Sequence, residues 1–358
     1  MNVINPLLLV IMYGGTTTKV AIYKGDEPLY KDTIRHSLDE MKKFKTVWEQ
    51  YDVRRRDITE WANQKKYNLQ DFDAFVSCSG LVKPCKPGVY IIDENMVEDF
   101  KTEKYGIHTS NPGCVLVYNL GKEFNKPVLT VDPTTDVNMM KIATYSGLPE
   151  IPRPNSYHVA NQKAMAKRVS AEIGKKYEEV NIIVAHIGSG TTVGAHQHGK
   201  VIDVNNGIES DGPFSSVRCG AVPVGPLVDM CYSGKYTRQE MHNKLGVEGG
   251  LAAYLGTSDG LEIETRIESG DEEAKTAVEA MAYQVAKEIG ARSVTLRGDV
   301  DAIVITGGLA NWKRVTDLIS DWVKHIAPIY VYPGENELEA MAEGVLPYLR
   351  GEIKAEIY

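Results

Sequence analysis

The chain has 358 residues, 43% hydrophobic and 25% charged, a length and composition that support two domains with cores of their own. Its formal net charge of −8 supplies no basic field for a nucleic-acid backbone or an anionic membrane surface, which argues against both as partners. The five cysteines, Cys78, Cys85, Cys114, Cys219 and Cys231, form no C-x-x-C pair, which argues against a disulfide framework or zinc ribbon and for reduced thiols in a cytoplasmic protein.

In chain order, Val3 to Met12 is apolar but lacks a basic n-region and a small-residue cleavage site, so it reads as a buried strand rather than a signal peptide. A Gly/Thr turn follows, Gly14-Gly15-Thr16-Thr17-Thr18-Lys19, and leads into a second strand ending at Gly25. Arg54-Arg55-Arg56, flanked by Asp52, Asp57 and Glu60, is expected on a solvated helix face. Val128 to Val131 has the β-branched pattern of a strand covered on both faces. Pro149 to Pro154 can neither continue a helix nor pair in a central strand, and it marks the boundary between lobes. Helical period then runs over Asn161 to Lys175, and a strand over Asn181 to Ala185. His196 and His198, near His186, are expected at a solvated edge rather than on a metal. A helix over Glu272 to Ala291, ended by Gly290, precedes the buried strand Ala302 to Ile305 and a Gly307-Gly308 turn. Strands alternating with helices make an α/β fold.

The most informative feature is internal. Gly14 to Gly25 lies without a gap on Gly188 to Gly199, with Gly14, Thr17, Thr18, Ala21 and Gly25 recurring at the same offsets. Each copy follows a buried strand, as a duplicated strand–turn–strand unit would. Such a turn presents backbone N–H groups and hydroxyls to a phosphate, and glycine permits close approach. Gly14, Gly15, Thr16, Thr17, Thr18 and Lys19 in one copy, and Gly188, Ser189, Gly190 and Thr191 in the other, are therefore candidate phosphate ligands. Either copy alone is equally a hairpin turn; the duplication favours phosphate. Gly307 and Gly308, at the carboxyl end of a buried strand, are candidates to back a nucleotide's ribose or base. Neither a P-loop nor a G-x-G-x-x-G opening a helix is present.

Read together, GGTTTKVAIY (14–23), HTSNPG (108–113), VDPTTD (131–136), AHIGSGTTVGAHQHGKVIDVNN (185–206), DGPFSSVRCG (211–220), YLGTSDGLEIE (254–264), AIVITGGLA (302–310) and YPGENELEAMAEGVL (332–346) resemble the butyrate kinases. These are a branch of the acetate kinase group in the sugar kinase, Hsp70 and actin superfamily. The resemblance covers essentially the whole chain. It implies a duplicated actin-like, ribonuclease H-like α/β fold, two lobes with mixed sheets flanked by helices. Residues 1–150 would form the lobe with the first phosphate turn and the acyl side. Residues 151–358 would form the lobe with the second turn and the adenosine site, the last helix crossing back to the first. It also implies ATP/ADP with Mg²⁺, a short-chain fatty acid, an acyl phosphate product and a homodimer.

Carried over by motif, Arg218 matches the arginine that contacts the carboxylate and the transferring phosphoryl group, which its planar fork suits. Asp132 matches an aspartate assigned to Mg²⁺ or substrate positioning, and Glu337 a metal-holding glutamate. His108 resembles a histidine near the acyl site, His158 a phosphate-facing histidine, and Asp259 a ribose contact. The chemistry agrees, because a carboxylate is already an anionic nucleophile at neutral pH and needs positioning and charge neutralisation rather than a general base.

Three positions depart from the family pattern. Met12-Tyr13-Gly14-Gly15 stands where relatives have an Asn-Pro-Gly-Ser type turn, Cys78 where they have an arginine, and Leu261 where another arginine follows the ribose-contacting aspartate. Lys83 and Lys86 lie close in sequence to the vacated arginine position but read as surface lysines. The alternative function is therefore a catalytically degenerate homologue that binds nucleotide or acyl phosphate as a sensor.

Overall fold

The computed structural model describes residues 4–14, 17–36, 44, 46–106, 108, 110–133, 137–154, 156–207, 211–334 and 336–358. The chain divides into two compact units, Met1–Val137 with Asn336–Tyr358, and Asn138–Glu335. The division follows Val137 rather than falling in the Pro149–Pro154 segment, which lies within the second unit.

The first unit opens with β1 (Leu7–Tyr13), β2 (Thr17–Lys24) and β3 (Glu27–Arg35), an antiparallel meander. Helix α1 (Tyr51–Gln64), β4 (Ala74–Ser77), β5 (Val89–Ile91), α2 (Glu94–Lys101), α3 (Ser110–Phe124) and β6 (Val128–Val131) follow. The six-stranded sheet has the order β3-β2-β1-β4-β6-β5, with β1, β4 and β6 parallel. Near-continuous apolar runs in β1 and β4 are what a strand covered on both faces requires. Leu9, Ile11, Val20, Ile22 and Phe75 on one face share a core with Ile58, Trp61 and Ala62 of α1 and Leu116, Val117 and Leu120 of α3.

The second unit carries α4 (Val159–Glu172), β7 (Asn181–Ile187), β8 (Thr191–Gln197) and β9 (Lys200–Val204). Helices α5 (Val224–Tyr232), α6 (Arg238–Gly246), α7 (Gly250–Leu255), α8 (Gly260–Glu268) and α9 (Glu272–Thr295) come next. Strand β10 (Ala302–Gly307), α10 (Lys313–Val323) and β11 (Ile329–Pro333) complete it. Its sheet order, β11-β10-β7-β8-β9, with β7, β8 and β9 antiparallel and β7, β10 and β11 parallel, repeats the β6-β4-β1-β2-β3 arrangement of the first. The repeat seen at Gly14 and Gly188 is thus the visible end of a duplication of the whole sheet topology. Helix α9 runs past Gly290 to Thr295, because Ile289 and Leu296 on either side pack into the core and burial outweighs the cost of a mid-helix glycine.

The chain then returns to the first unit as α11 (Glu337–Leu349). Leu338, Met341, Ala342, Val345 and Leu346 of α11 cover the second face of the first sheet, against Leu8, Val10, Ala21, Val76 and Leu129.

Candidate active site

In the first unit the candidate residues gather at the carboxyl ends of β1, β4 and β6, where parallel strands present ligands. Gly14 N donates to Thr17 O at 2.8 Å and closes the turn. Gly15 and Thr16 lie outside the described residues. Arg54, expected on a solvated face with Arg55 and Arg56, is instead buried, with 1% exposure. Its guanidinium donates to Gly14 O at 2.9 Å, Thr17 O at 2.9 Å and Thr18 Oγ1 at 3.0 Å, and to Gln50 Oε1. A tight turn leaves carbonyls outside the ladder, and the five-donor fork satisfies them. Arg55 and Arg56 do pair at the surface, with Glu123 and Asp57. Met12-Tyr13 at the altered turn is packed in place, since the Tyr13 ring lies 4.7 Å from the Arg54 guanidinium and a Cβ on Gly113 would come within 3.0 Å of it.

Lys19 Nζ lies 3.7 Å from Glu337 Oε2. That oxygen is buried with no hydrogen-bond partner, and desolvation pushes the carboxyl pKa above its ordinary range despite Lys19. Asp132 sits in the left-handed region at φ 44°, where its N–H donates to Gly88 O and its Oδ1 accepts from Gly88 N, both at 2.9 Å. His108 Nδ1 accepts from Ser110 N at 3.2 Å at the start of α3. Cys78 Sγ reaches Ser110 Oγ at 3.5 Å, and burial pushes its thiol up to about 11, so this position holds a neutral group. Lys83 Nζ lies over the Tyr358 ring at 4.3 Å.

In the second unit the Gly188-Ser189-Gly190 turn is held by hydroxyls, with Ser215 Oγ donating to Ser189 O at 2.5 Å and Ser216 Oγ to Gly188 O at 3.3 Å. Ser215 Oγ also accepts from Arg218 N at 3.1 Å, which ties the arginine loop to the turn. A Cβ on Gly190 would come within 2.0 Å of Arg218 Nη1, so glycine there makes room for the guanidinium. Arg218 donates to Gly207 O, forms no carboxylate pair among the described residues, and is held below the ordinary arginine pKa by burial. A Cβ on Gly207 would stand 3.9 Å from His158 Cε1, so His158 and Arg218 flank one glycine. Thr191 Oγ1 is buried without a hydrogen-bond partner.

Gly307 joins this cluster, because at φ 94° its Cβ position lies 2.3 Å from Ile187 O, beside the start of the turn. Asp259 caps α8, its Oδ1 accepting from Leu261 N at 2.9 Å, while a Cβ on Gly260 would come within 3.3 Å of the Trp312 ring, which closes the turn begun at Gly308. Gly188, Ser189, Gly190, Thr191, His158, Arg218, Gly307, Gly308 and Asp259 thus belong to one contiguous region of the second unit.

Of His196 and His198, both expected at a solvated edge, His196 is buried, at 0% exposure, and His198 is exposed; the neighbouring His186 is also buried. Residues Asn161, Gln162 and Lys163 of α4 cover that stretch of β7 and β8. No group of three or more His, Cys, Asp or Glu among the described residues is placed to hold a metal ion. Sequence reasoning missed Arg54, Ser215, Ser216 and Gln162 as supports. The two serines lie inside a recognised motif, whereas no local pattern marks a helix residue that braces a turn distant in sequence.

A sequence model of the acetokinase family matches residues 152–340. Among solved structures, the chain is similar to an acetate kinase from Porphyromonas gingivalis, with TM-score 0.74 and 18% identity over 95% of this chain and 99% of that one. It is similar to a propionate kinase from Francisella tularensis, with TM-score 0.76 and 18% identity over 94% and 98%. It is also similar to an acetate kinase from Entamoeba histolytica, with TM-score 0.73 and 15% identity over 95% and 98%. At these identities the structures establish the fold, an α/β two-lobe actin-like fold with two mixed sheets flanked by helices.

Proposed function

The chain belongs to the acetokinase family, and we propose that within it the protein is a butyrate kinase-like carboxylate kinase. It moves a phosphoryl group reversibly between ATP and a short-chain fatty acid, giving acyl phosphate and ADP. The observation that carries this reading is Arg218, a half-buried guanidinium fitted against the second glycine turn with no carboxylate partner among the described residues. A desolvated cation so placed suits an anion that arrives with the substrate.

Two buried atoms without hydrogen-bond partners fit the remaining components: Thr191 Oγ1 a nucleotide phosphate, and Glu337 Oε2 a cation. Mg²⁺ needs only one or two carboxylates when phosphates supply its other ligands, and Glu337 with Asp132 would provide them. The ion would neutralise charge on the phosphate oxygens. The protein's own part is positional. In the second unit Gly188, Ser189, Gly190 and Thr191 would offer donors to the phosphates; Gly14, Thr17, Thr18 and Lys19 form the matching turn of the first unit. Gly307, Gly308 and Asp259 would bind the adenosine, and Arg218 and His158 would orient the carboxylate and the phosphoryl group.

Helix α5 buries none of its residues and exposes Val224, Val228 and Met230, which supports a homodimer. One observation favours a second reading, a nucleotide or acyl-phosphate sensor without turnover: the neutral Cys78 thiol at the vacated arginine position. Trapping acyl phosphate with hydroxylamine, in the presence of ATP, Mg²⁺ and a panel of C2 to C6 acids, separates them. Hydroxamate forming best with a C4 acid supports the butyrate kinase-like reading. Preference for acetate or propionate moves the chain to another branch of the family. ATP binding without hydroxamate from any acid leaves the sensor.

A further inference from the structure

A chain of buried hydrogen bonds runs through the second unit toward His158. Tyr177 Oη lies 2.7 Å from His196 Nδ1, and His196 Nε2 lies 3.1 Å from Gln162 Oε1. Gln162 Nε2 donates to Thr192 O at 3.1 Å and to Thr192 Oγ1 at 2.8 Å, and Thr192 Oγ1 lies 2.9 Å from His158 Nδ1. Gln162, His196 and Thr192 are buried, each at 0% exposure.

The proton positions follow from which atoms can only accept. Thr192 O is a carbonyl, so the Gln162 group facing it is the NH₂, and Oε1 faces His196. His196 Nε2 must then carry the proton it gives to Gln162 Oε1. Burial brings this imidazole's pKa down to about 3, so the ring is neutral, its Nδ1 is bare, and Tyr177 donates to it. Gln162 uses both amide protons on Thr192, so Thr192 Oγ1 accepts one hydrogen bond and has one proton to give. The acceptor within reach among its bonded neighbours is His158 Nδ1.

We propose that Tyr177, His196, Gln162 and Thr192 are positioning residues that hold His158 as the tautomer bare at Nδ1 and protonated at Nε2. The ring then offers an N–H, not a lone pair, from its Nε2 edge. Its Cε1 side faces Gly207, whose carbonyl accepts from Arg218, so the donor joins the guanidinium at one place. The functional weight of this rests on the carboxylate-kinase reading, in which an N–H donor serves phosphoryl oxygens as a lone pair cannot. Gly194 is part of the device, since a Cβ there would come within 2.3 Å of Gln162 Oε1.

Long-range ¹⁵N–¹H correlation spectra of the histidine rings in the full-length protein test the assignment without any substitution. The expected result is an unprotonated Nδ1 and a protonated Nε2 on His158 at neutral pH; a protonated Nδ1 overturns the proposal. Thr192→Val removes the hydroxyl at nearly constant shape, and Thr192→Ser restores it. We expect the valine variant to show mixed His158 tautomers and a kcat lower by about tenfold with KM for ATP and acid unchanged, while the serine variant behaves as wild type. An unaltered tautomer and kcat in Thr192→Val overturns the relay. If the wild-type tautomer is as stated but no acyl phosphate forms, the relay stands and the carboxylate-kinase reading fails.

Discussion

Arg54→Met removes the guanidinium donor from the Gly14 carbonyl and leaves Thr17 O with Gly14 N alone. The expected loss is about 3 kcal/mol, read as a lower urea midpoint with an unchanged slope. Glu337 is expected to behave in the opposite way. Its carboxyl holds its proton to a higher pH than the ordinary 4.5, so above that value the native state binds more protons than the unfolded one. Stability from this group therefore falls as pH rises from about 4.5 through the raised native pKa. Glu337→Gln should raise the Tm of the ligand-free protein at pH 7 and flatten that decline, while abolishing Mg²⁺-dependent stabilisation by ATP. An unchanged or lower Tm contradicts the idea that this carboxylate is held at a cost. The two copies of the turn also agree at this scale. Thr18 Oγ1 lies 2.9 Å from His36 Nε2 and accepts from Arg54, and Thr192 Oγ1 lies 2.9 Å from His158 Nδ1 and accepts from Gln162. One histidine nitrogen and one N–H donor brace the same threonine in each repeat, with unrelated residues supplying the donor.

At the scale of elements, the glycine turns differ in what an added side chain would displace. A Cβ at Gly190 meets the far end of the Arg218 side chain, which can move, whereas a Cβ at Gly307 meets the Ile187 backbone and is strained at φ 94°. Gly190→Ala is therefore expected to keep near-native stability and lose at least about tenfold in kcat/KM by displacing the guanidinium. Gly307→Ala should lower the Tm instead, by several degrees for a loss of about 1–3 kcal/mol. Equal Tm losses in the two variants contradict the assignment of distinct roles. The four central buried strands and helices α4 and α9 are legible from apolar runs and helical period, because those patterns record burial directly. The sequence places the end of α9 at Gly290, because the glycine signal is local while the contacts of Leu296 are not. The sequence places Arg54 and His196 in solvent for the same reason: charge and polarity in the sequence do not reveal that a tertiary partner is waiting.

At the scale of the molecule, the duplication is the organising fact. Two sheets with the same strand order each end in a Gly/Thr turn, and a local repeat at matched offsets was enough to foresee it. The return of α11 to the first unit places Glu337 beside Lys19, a juxtaposition that spacing along the chain does not reveal. In the proposed reading, with Cys78 and Leu261 where the resemblance implies arginine, Arg218 would be the cation on which transfer chiefly depends. The most direct measurement follows ADP and butyryl phosphate by ³¹P NMR in the presence of Mg²⁺, with the wild-type chain and with Arg218→Ala. The account predicts that ATP accumulates with the wild type and that its rate falls by at least about a hundredfold in the variant. An equal rate in both would contradict the role given to Arg218, and no ATP with the wild type would contradict phosphoryl transfer itself.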